Sequence, residues 1–465
     1  MTDTAVADES DAADAANATH AANATHAANT TDAGTADRDD APAPDRTETT
    51  EVVVVGCGPG GAVLASLLAR SGVDVTLVER EATFEREYRG FGWNPGVVRL
   101  FDEMGVLDDV LDLAHETVRD GSFVVAGERV SVLDFDLLDT DYPYALLMEQ
   151  PALLELLVDR ASAYDGFVFR PSTTVTDLRR DADGAVCGVV ARDRAADEVV
   201  AVDARVVVGA DGRYSTVRST ADIDAGLFDS PIDLVWFTLP AGAVDAATQG
   251  QFGPGGVLVH FGLGGGRLQV GYPVLDGTWP AVRAEGFDAF RERVAAVDPA
   301  VADAMAAHLD GFADTTLLDV APGVAPTWTR DGLVLLGDAA HVASPIGAQG
   351  NPLAVEDAVV LHDLLAGALA SGNGPLSAAT LRPFERRRRP TVERVIRLQR
   401  RGARSLAAWL RYGRYVPPAL VRVPAAAFGR VAARSRLARR PVEAFALGDR
   451  SVSVARDRFV DADGD

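Results

Sequence analysis

The sequence predicts an α/β protein: a parallel βαβ domain made from separated chain segments, a smaller inserted sheet, and helices towards the C-terminal end. Three observations predict it. The all-valine run Val52–Val55 leads into Gly56-Cys57-Gly58-Pro59-Gly60-Gly61, then an apolar helical stretch and a second apolar run. Two later clusters, Gly209-Ala210-Asp211-Gly212 and Gly337-Asp338-Ala339-Ala340-His341, each follow a short apolar strand. Residues 230–275 hold strand-length apolar runs separated by Gly-rich turns, the pattern of a compact sheet.

Residues 1–48 are dominated by Ala, Asp, Thr and Asn, with Ala-Asn-Ala-Thr-His-Ala at 16–21 and again at 22–27. Such a segment buries too little apolar area to offset its ordering entropy, so a disordered tail is expected. Asn17 and Asn23 begin glycosylation-type triplets, but no basic and apolar leader accompanies them. Val52–Val55 reads as a buried strand, and the helix after the glycine loop runs through Leu64–Arg70 to stop at Gly72. Val73–Val78 is the next strand, closing with Glu79. A helix is expected at Pro151–Tyr164 and strands at Arg205–Val208, Asp233–Leu239, Gly256–Phe261, Arg267–Tyr272 and Gly332–Leu336. Asn351-Pro352 suits a helix start, Asn as N-cap and Pro at the first position, with the helix reaching Leu369.

From Arg382 to Arg440 there are 18 Arg against only Glu385 and Glu393. Val392, Val395, Ile396, Ala403, Leu406 and Leu410 fall on one helical face. Two readings of this basic amphipathic helix stand: packing on the acidic body, or peripheral contact with an anionic membrane surface. The expected domain plan is a tail at 1–48, a discontinuous nucleotide-binding domain at 50–228 and 327–380, a β-sheet domain at 229–326, and an Arg-rich helical region at 381–450.

The net charge of −24 excludes general nucleic-acid binding, which needs excess cations to neutralise phosphates. All 44 basic residues are Arg, none Lys. That acidity fits a halophilic protein, in which concentrated salt screens self-repulsion. The two cysteines give neither a disulfide framework nor a metal cluster, and no apolar run approaches the ~18–20 residues that span a bilayer. A cytoplasmic protein is expected.

In the first cluster Gly56 permits a tight turn, Gly58 lets backbone approach a pyrophosphate, and Gly60 and Gly61 open a helix close to the strand. The helix N-terminus offers amides and a positive dipole end to phosphate. Glu79, 18 residues past Gly61, is placed to accept hydrogen bonds from ribose hydroxyls and would repel a 2′-phosphate. Asp338 can bond polyol hydroxyls. After it, Pro345, Gly347 and Gly350 lead into a helix whose N-terminus could stabilise negative charge on a reduced flavin pyrimidine ring. Three clusters spread over so much chain must converge on a long ligand, which points to a flavin dinucleotide.

Gly56–Gly61, Gly209-Ala210-Asp211-Gly212-Arg213 through Arg218, and Gly337-Asp338 through Asp357 together resemble the three fingerprints of the class A flavoprotein monooxygenases, the family of p-hydroxybenzoate hydroxylase and its aromatic-hydroxylase relatives. The resemblance spans about residues 50–400. It implies a Rossmann-like FAD-binding domain of the glutathione-reductase type with an inserted mixed or antiparallel substrate sheet. It also implies non-covalent FAD, NAD(P)H as donor, and insertion of one oxygen atom through a flavin C4a-hydroperoxide. Glu79, with Arg80 beside it, would bind the adenosine ribose and Asp338 the ribitol, while Asp211 would serve both FAD and the passing NADH or NADPH. Arg89-Gly90 and Gln150 match further cofactor contacts, and Pro345, Gly347, Gly350 and Asn351 would frame the isoalloxazine. One departure stands out. Where the family has Gly before the Gln and Asn two residues after the next Gly, this chain has Ala348 and Pro352, so Asn351 is shifted by one.

The pocket is expected between the flavin and the 230–275 sheet, where alternation divides Trp236, Phe237, Phe252, Phe261 and Tyr272 between ligand and core. Such a lining suits an aromatic or other apolar small molecule. No protein nucleophile is advertised. His341 is read as packed or helix-capping, and His115 and His260 as surface or core residues. A halogenase of this fold would need an active-site Lys, which the chain lacks. A geranylgeranyl-type reductase of isoprenoid chains is the alternative that would use a membrane-facing basic helix, and a non-catalytic flavin-binding module is a third reading.

Overall fold

The computed structural model describes residues 43–85, 91–125, 128–244, 249–253, 256–417, 443 and 445–460. A six-stranded sheet lies at the centre, ordered Thr329–Arg330, Leu333–Leu335, Val206–Gly209, Val52–Val55, Val75–Val78 and Phe167–Arg170. All its pairings are parallel except that of the first two strands. Val52, Val53, Val54, Val206, Val207 and Val208 are fully buried, as in a parallel sheet covered on both faces. Helix α1 (Pro59–Arg70) begins where Val52–Val55 ends, α2 is Pro95–Glu103, and α3 is Gln150–Ala161. The long α4 (Gly350–Leu369) packs along α1, and α5 (Ala378–Tyr412) packs on α4.

A seven-stranded sheet forms the second layer, ordered Thr315–Leu318, Ile232–Pro240, Arg267–Leu275, Gly256–Gly262, Gln249–Gly253, Asp120–Val125 and Glu128–Asp134. It therefore reaches outside the expected 229–326 span: Asp120–Val125 pairs in parallel with Gln249–Gly253. Short strands with a non-local partner carry no local mark of the sheet they join. The expected tail is also too long. Arg46–Thr49 is a strand, parallel to Val200–Asp203, in a four-stranded sheet with Thr173–Arg180 and Val186–Asp193. Residues 1–42 lie outside the described residues, as does Arg89.

The apolar face of α5 is not presented to solvent. Val392, Val395 and Ile396 are buried in the main core, while Ala403 and Ala407 pack with Ile232, Leu275, Ile346, Leu406 and Leu410. From Leu381 to Leu410 the helix is thus the packed form of the two readings, with Tyr412 exposed at its end. The rest of the Arg-rich run, from 418 to 442, is outside the described residues. Among the described residues no helix is long and apolar enough to cross a membrane.

Candidate active site

The three glycine clusters meet. Gly56 has φ +100, and a methyl group built on it would lie 2.5 Å from the Ala210 carbonyl oxygen. Only glycine lets the first loop touch the second cluster this closely. A Cβ on Gly61 would sit 2.0 Å from the Gly56 oxygen, which is why α1 can start tight against its strand. Gly60 abuts Leu336 and Ala354, joining the first loop to the third cluster. Gly58, by contrast, faces open space on its Cβ side, so its surroundings leave room for a phosphate at the α1 N-terminus.

Glu79 ends the strand Val75–Val78 and is buried, its carboxylate accepting from the Cys57 amide at 2.8 Å and the Glu81 amide at 3.0 Å. The acid is thereby tied to the first glycine loop. Arg80 is exposed and pairs with Glu81. Asp338 is exposed between buried Gly337 and Ala339, in a 3₁₀ turn two residues beyond the strand Leu333–Leu335. Asp211 turns towards its own loop: Ser215 Oγ and the Val217 amide donate to its two oxygens. Burial raises its pKa. Buried Arg218 then ties the second cluster to the third, donating to the Ala339 carbonyl at 3.0 Å and the Arg213 carbonyl at 2.8 Å.

Beyond Asp338, the loop through Pro345, Gly347 and Gly350 leads into α4. Asn351 is not the N-cap. Gln349 holds that place, Gly350 is the first helical residue, and Asn351 follows it in the first turn. Pro352 remains compatible because first-turn amides have no intrahelical partner. Gln150 Nε2 donates to Asn351 Oδ1 at 3.3 Å, which leaves Asn351 Nδ2 buried without a hydrogen-bond partner. A buried amide donor of this kind costs free energy unless a ligand acceptor completes it. A flavin carbonyl is such an acceptor, and with the open cradle at Gly58 it makes the residues present fit FAD.

The sequence assigns no role to two supports, one of this loop and one of the Gly337 turn before it. Gln399, buried on α5, accepts from the Ser344 amide at 3.1 Å and donates to the Ser344 and Ile346 carbonyls, both at 2.8 Å. Asp357 on α4 accepts from the Gly337 amide at 3.1 Å, from His341 Nε2 at 2.6 Å and from Arg388 Nε at 2.7 Å. Burial pushes the Asp357 carboxyl upwards, but His341 and Arg388 outweigh it and hold it below the ordinary range. His341 is thus a packed residue beneath the third cluster, 2% exposed and against the Trp328 ring. Asp357 closes the third fingerprint, which marks its position but not its partners; Gln399 offers no signal beyond a polar residue at a buried helical position.

The two faces of the substrate sheet divide the aromatic residues. Phe237 and Tyr272 enter the core beneath it, and His260 shares their face, buried with its pKa lowered by that burial. Trp236 and Phe261 project from the other face, where Phe91 completes a cluster with centroids 5.7–6.1 Å apart. Phe252 also takes this face but packs on Trp409 of α5. Phe91 precedes Gly92, where an added Cβ would lie 3.3 Å from the Ala348 methyl. The aromatic cluster therefore adjoins the 345–350 loop. His115 is engaged with the Leu113 carbonyl.

A family described as FAD binding domain matches residues 49–399. The chain belongs to this family. It is a class A FAD-dependent monooxygenase, and its similarity to characterised members is extensive. The 6-methylpretetramide 4-monooxygenase of Streptomyces rimosus is 37% identical over 88% of this chain and 95% of its own length. A second Streptomyces rimosus protein, 12-dehydrotetracycline 5-monooxygenase/anhydrotetracycline 6-monooxygenase, is 31% identical over 75% of this chain and 68% of that one. Among solved structures, Pseudomonas aeruginosa PqsL in complex with 2-aminobenzoylacetate superposes with TM-score 0.68 at 26% identity, covering 79% of this chain and all of that one. When bound to this flavoprotein, FAD supplies the redox and oxygen chemistry; the protein supplies binding, orientation and exclusion of water.

Proposed function

We propose that this monooxygenase hydroxylates a planar, fused-ring aromatic molecule lying against the Phe91–Trp236–Phe261 face, with NAD(P)H as donor. The observation that carries the proposal is the position of that aromatic face beside the 345–350 loop. Flat π surfaces stack on such a lining, and the names of the two Streptomyces rimosus relatives point to compounds of this class. Glu79 and the amides at the start of α1 would hold the adenosine half of FAD. Asp338 would hold the ribitol, and Asn351 with the α4 N-terminus would face the pyrimidine ring, favouring its negative charge on reduction. Asp211 would act by shaping its loop, since both its oxygens are engaged within it.

The reductase alternative loses its main support because the apolar face of α5 is covered by the body of the protein. Peripheral membrane contact has the same difficulty over residues 381–410. The proposal further includes a cytoplasmic location, where reduced nicotinamide is available, and adaptation to concentrated salt. The test is NAD(P)H oxidation under isotopically labelled dioxygen, with fused-ring and single-ring phenols compared. We expect fused-ring phenols to stimulate oxidation and the product to carry one labelled oxygen atom. A product that gains hydrogen without oxygen would mark a reductase, and stimulation by single-ring phenols alone would overturn the fused-ring assignment.

A further inference from the structure

We propose that Phe445 is a positioning residue of the flavin site, and that the C-terminal segment carrying it holds the 345–350 loop together with α5. The segment lies beyond residue 399, where the family match ends. The Phe445 carbonyl accepts two side-chain hydrogen bonds, from Asn94 Nδ2 at 3.0 Å and from Gln349 Nε2 at 3.2 Å. Its ring lies on Gly347, where an added Cβ would be 3.0 Å from the ring edge. Ala446 and Leu447 are buried with Phe135 and Leu138, which fixes the direction of the chain.

The segment is also tied to the other arm of the site. Gly448 passes so close to Glu356 that an added Cβ would be 2.0 Å from its Oε1, and the Asp449 amide donates to that oxygen at 2.8 Å. Glu356 Oε2 in turn receives Arg388 Nη2 at 2.7 Å, and Arg388 holds Asp357, whose carboxylate binds the Gly337 amide. The segment therefore touches the 347–349 turn directly and the Gly337 turn through three side chains, Glu356, Arg388 and Asp357. Farther along it runs over α2, where Arg99 donates to the Val452 carbonyl and the Val454 amide donates to Glu103. Gln399 grips the front of the loop from α5 and Phe445 grips its end. A loop held at both ends presents a fixed wall to a bound ring, whereas one held at a single end would sample several.

The inference rests on the reading that the 345–350 loop faces the flavin. The test is the rate of FAD release from the full-length holoenzyme, followed as fluorescence gained on dilution. Phe445→Ala should release FAD about tenfold faster, the scale of one lost aromatic contact. Phe445→Leu, which keeps apolar cover on Gly347, should stay near the parent, and Val460→Ala, at the far end of the segment, should not change release. An unchanged rate in Phe445→Ala overturns the inference, as does equal acceleration by Val460→Ala, which would mark general loosening. Should Phe445→Ala fail to fold, Gln349→Ala removes the loop's own bond to the Phe445 carbonyl, and an unchanged rate there overturns it equally. Asn351→Leu separates the two readings. Faster release there with none in Phe445→Ala removes Phe445 alone, while no change in either removes the loop's place at the flavin.

Discussion

Ala348 is exposed at φ +51, a left-handed conformation that a side chain resists. The strain costs about 1–2 kcal/mol, and a glycine there would give back roughly 0.5–1 kcal/mol through its freer unfolded chain. Ala348→Gly should therefore stabilise the protein by about 1 kcal/mol at most, read as a higher denaturant midpoint. A midpoint that falls would show that the methyl contact with Gly92 outweighs the strain. His362 is a second residue with a measurable signature. It is fully buried, its Nε2 2.8 Å from Ser71 Oγ, and burial lowers its pKa from 6.5 to about 4. Between those values the unfolded chain holds a proton that the folded one refuses, so stability falls as pH drops from 6.5 to 4 and levels off below. The loss is on the order of 3 kcal/mol. His362→Gln, which keeps a polar partner for Ser71 but does not titrate, should flatten the pH dependence of melting in that window. A slope equal to that of the parent would argue against a buried neutral imidazole.

At the scale of elements, α4 and α5 are joined through one fully buried guanidinium. Arg388 meets Glu356 and Asp357, and although burial lowers its pKa, the two carboxylates outweigh that and raise it. Removing the cation strands two carboxylates in a site that cannot hydrate them, a loss of about 3–5 kcal/mol for Arg388→Leu. Neutralising the partners as well, with Glu356→Gln and Asp357→Asn in the Arg388→Leu background, should recover part of that loss, because the unpaired charge is what costs most. Thermal or denaturant melting of the single and triple variants decides it. A triple variant less stable than the single one would mean that the hydrogen bonds to Gly337 and Asp449, not the charges, dominate.

The whole molecule carries a net charge of −24. Its described ion pairs are mostly partly or fully exposed Arg–carboxylate contacts, such as Arg129–Asp120 and Arg293–Glu285, each worth little in water. Long-range repulsion is the larger electrostatic effect. It is screened over ~10 Å at 0.1 M salt and ~3 Å at 1 M. Melting temperature should rise as potassium chloride goes from about 0.1 M to molar concentrations; a flat response would mean that the acidic surface does not limit stability.

What local chemistry dictates was legible in the sequence. Valine runs before glycine clusters marked the parallel strands, because buried parallel strands need apolar residues on both faces and a phosphate loop needs residues without Cβ. The order of the three clusters announced the cofactor, and period-two alternation divided the sheet aromatics between two faces, while the register between strands decided that Trp236 and Phe261 lie opposite Phe237 and Tyr272. Tertiary structure alone decided the rest. It put Arg46–Thr49 beside Val200–Asp203, brought Asp120–Asp134 into the substrate sheet, added Phe91 to the aromatic face, and moved the α4 start so that Asn351 sits in the first turn. It also converted an Arg-rich stretch that reads as a surface helix into the source of Gln399 and Arg388, buried props of the Ser344–Ile346 turn and of Asp357. Each of these depends on partners tens to hundreds of residues away. A polar side chain's role is set by which donors and acceptors surround it after burial, and one stretch of sequence does not contain that information.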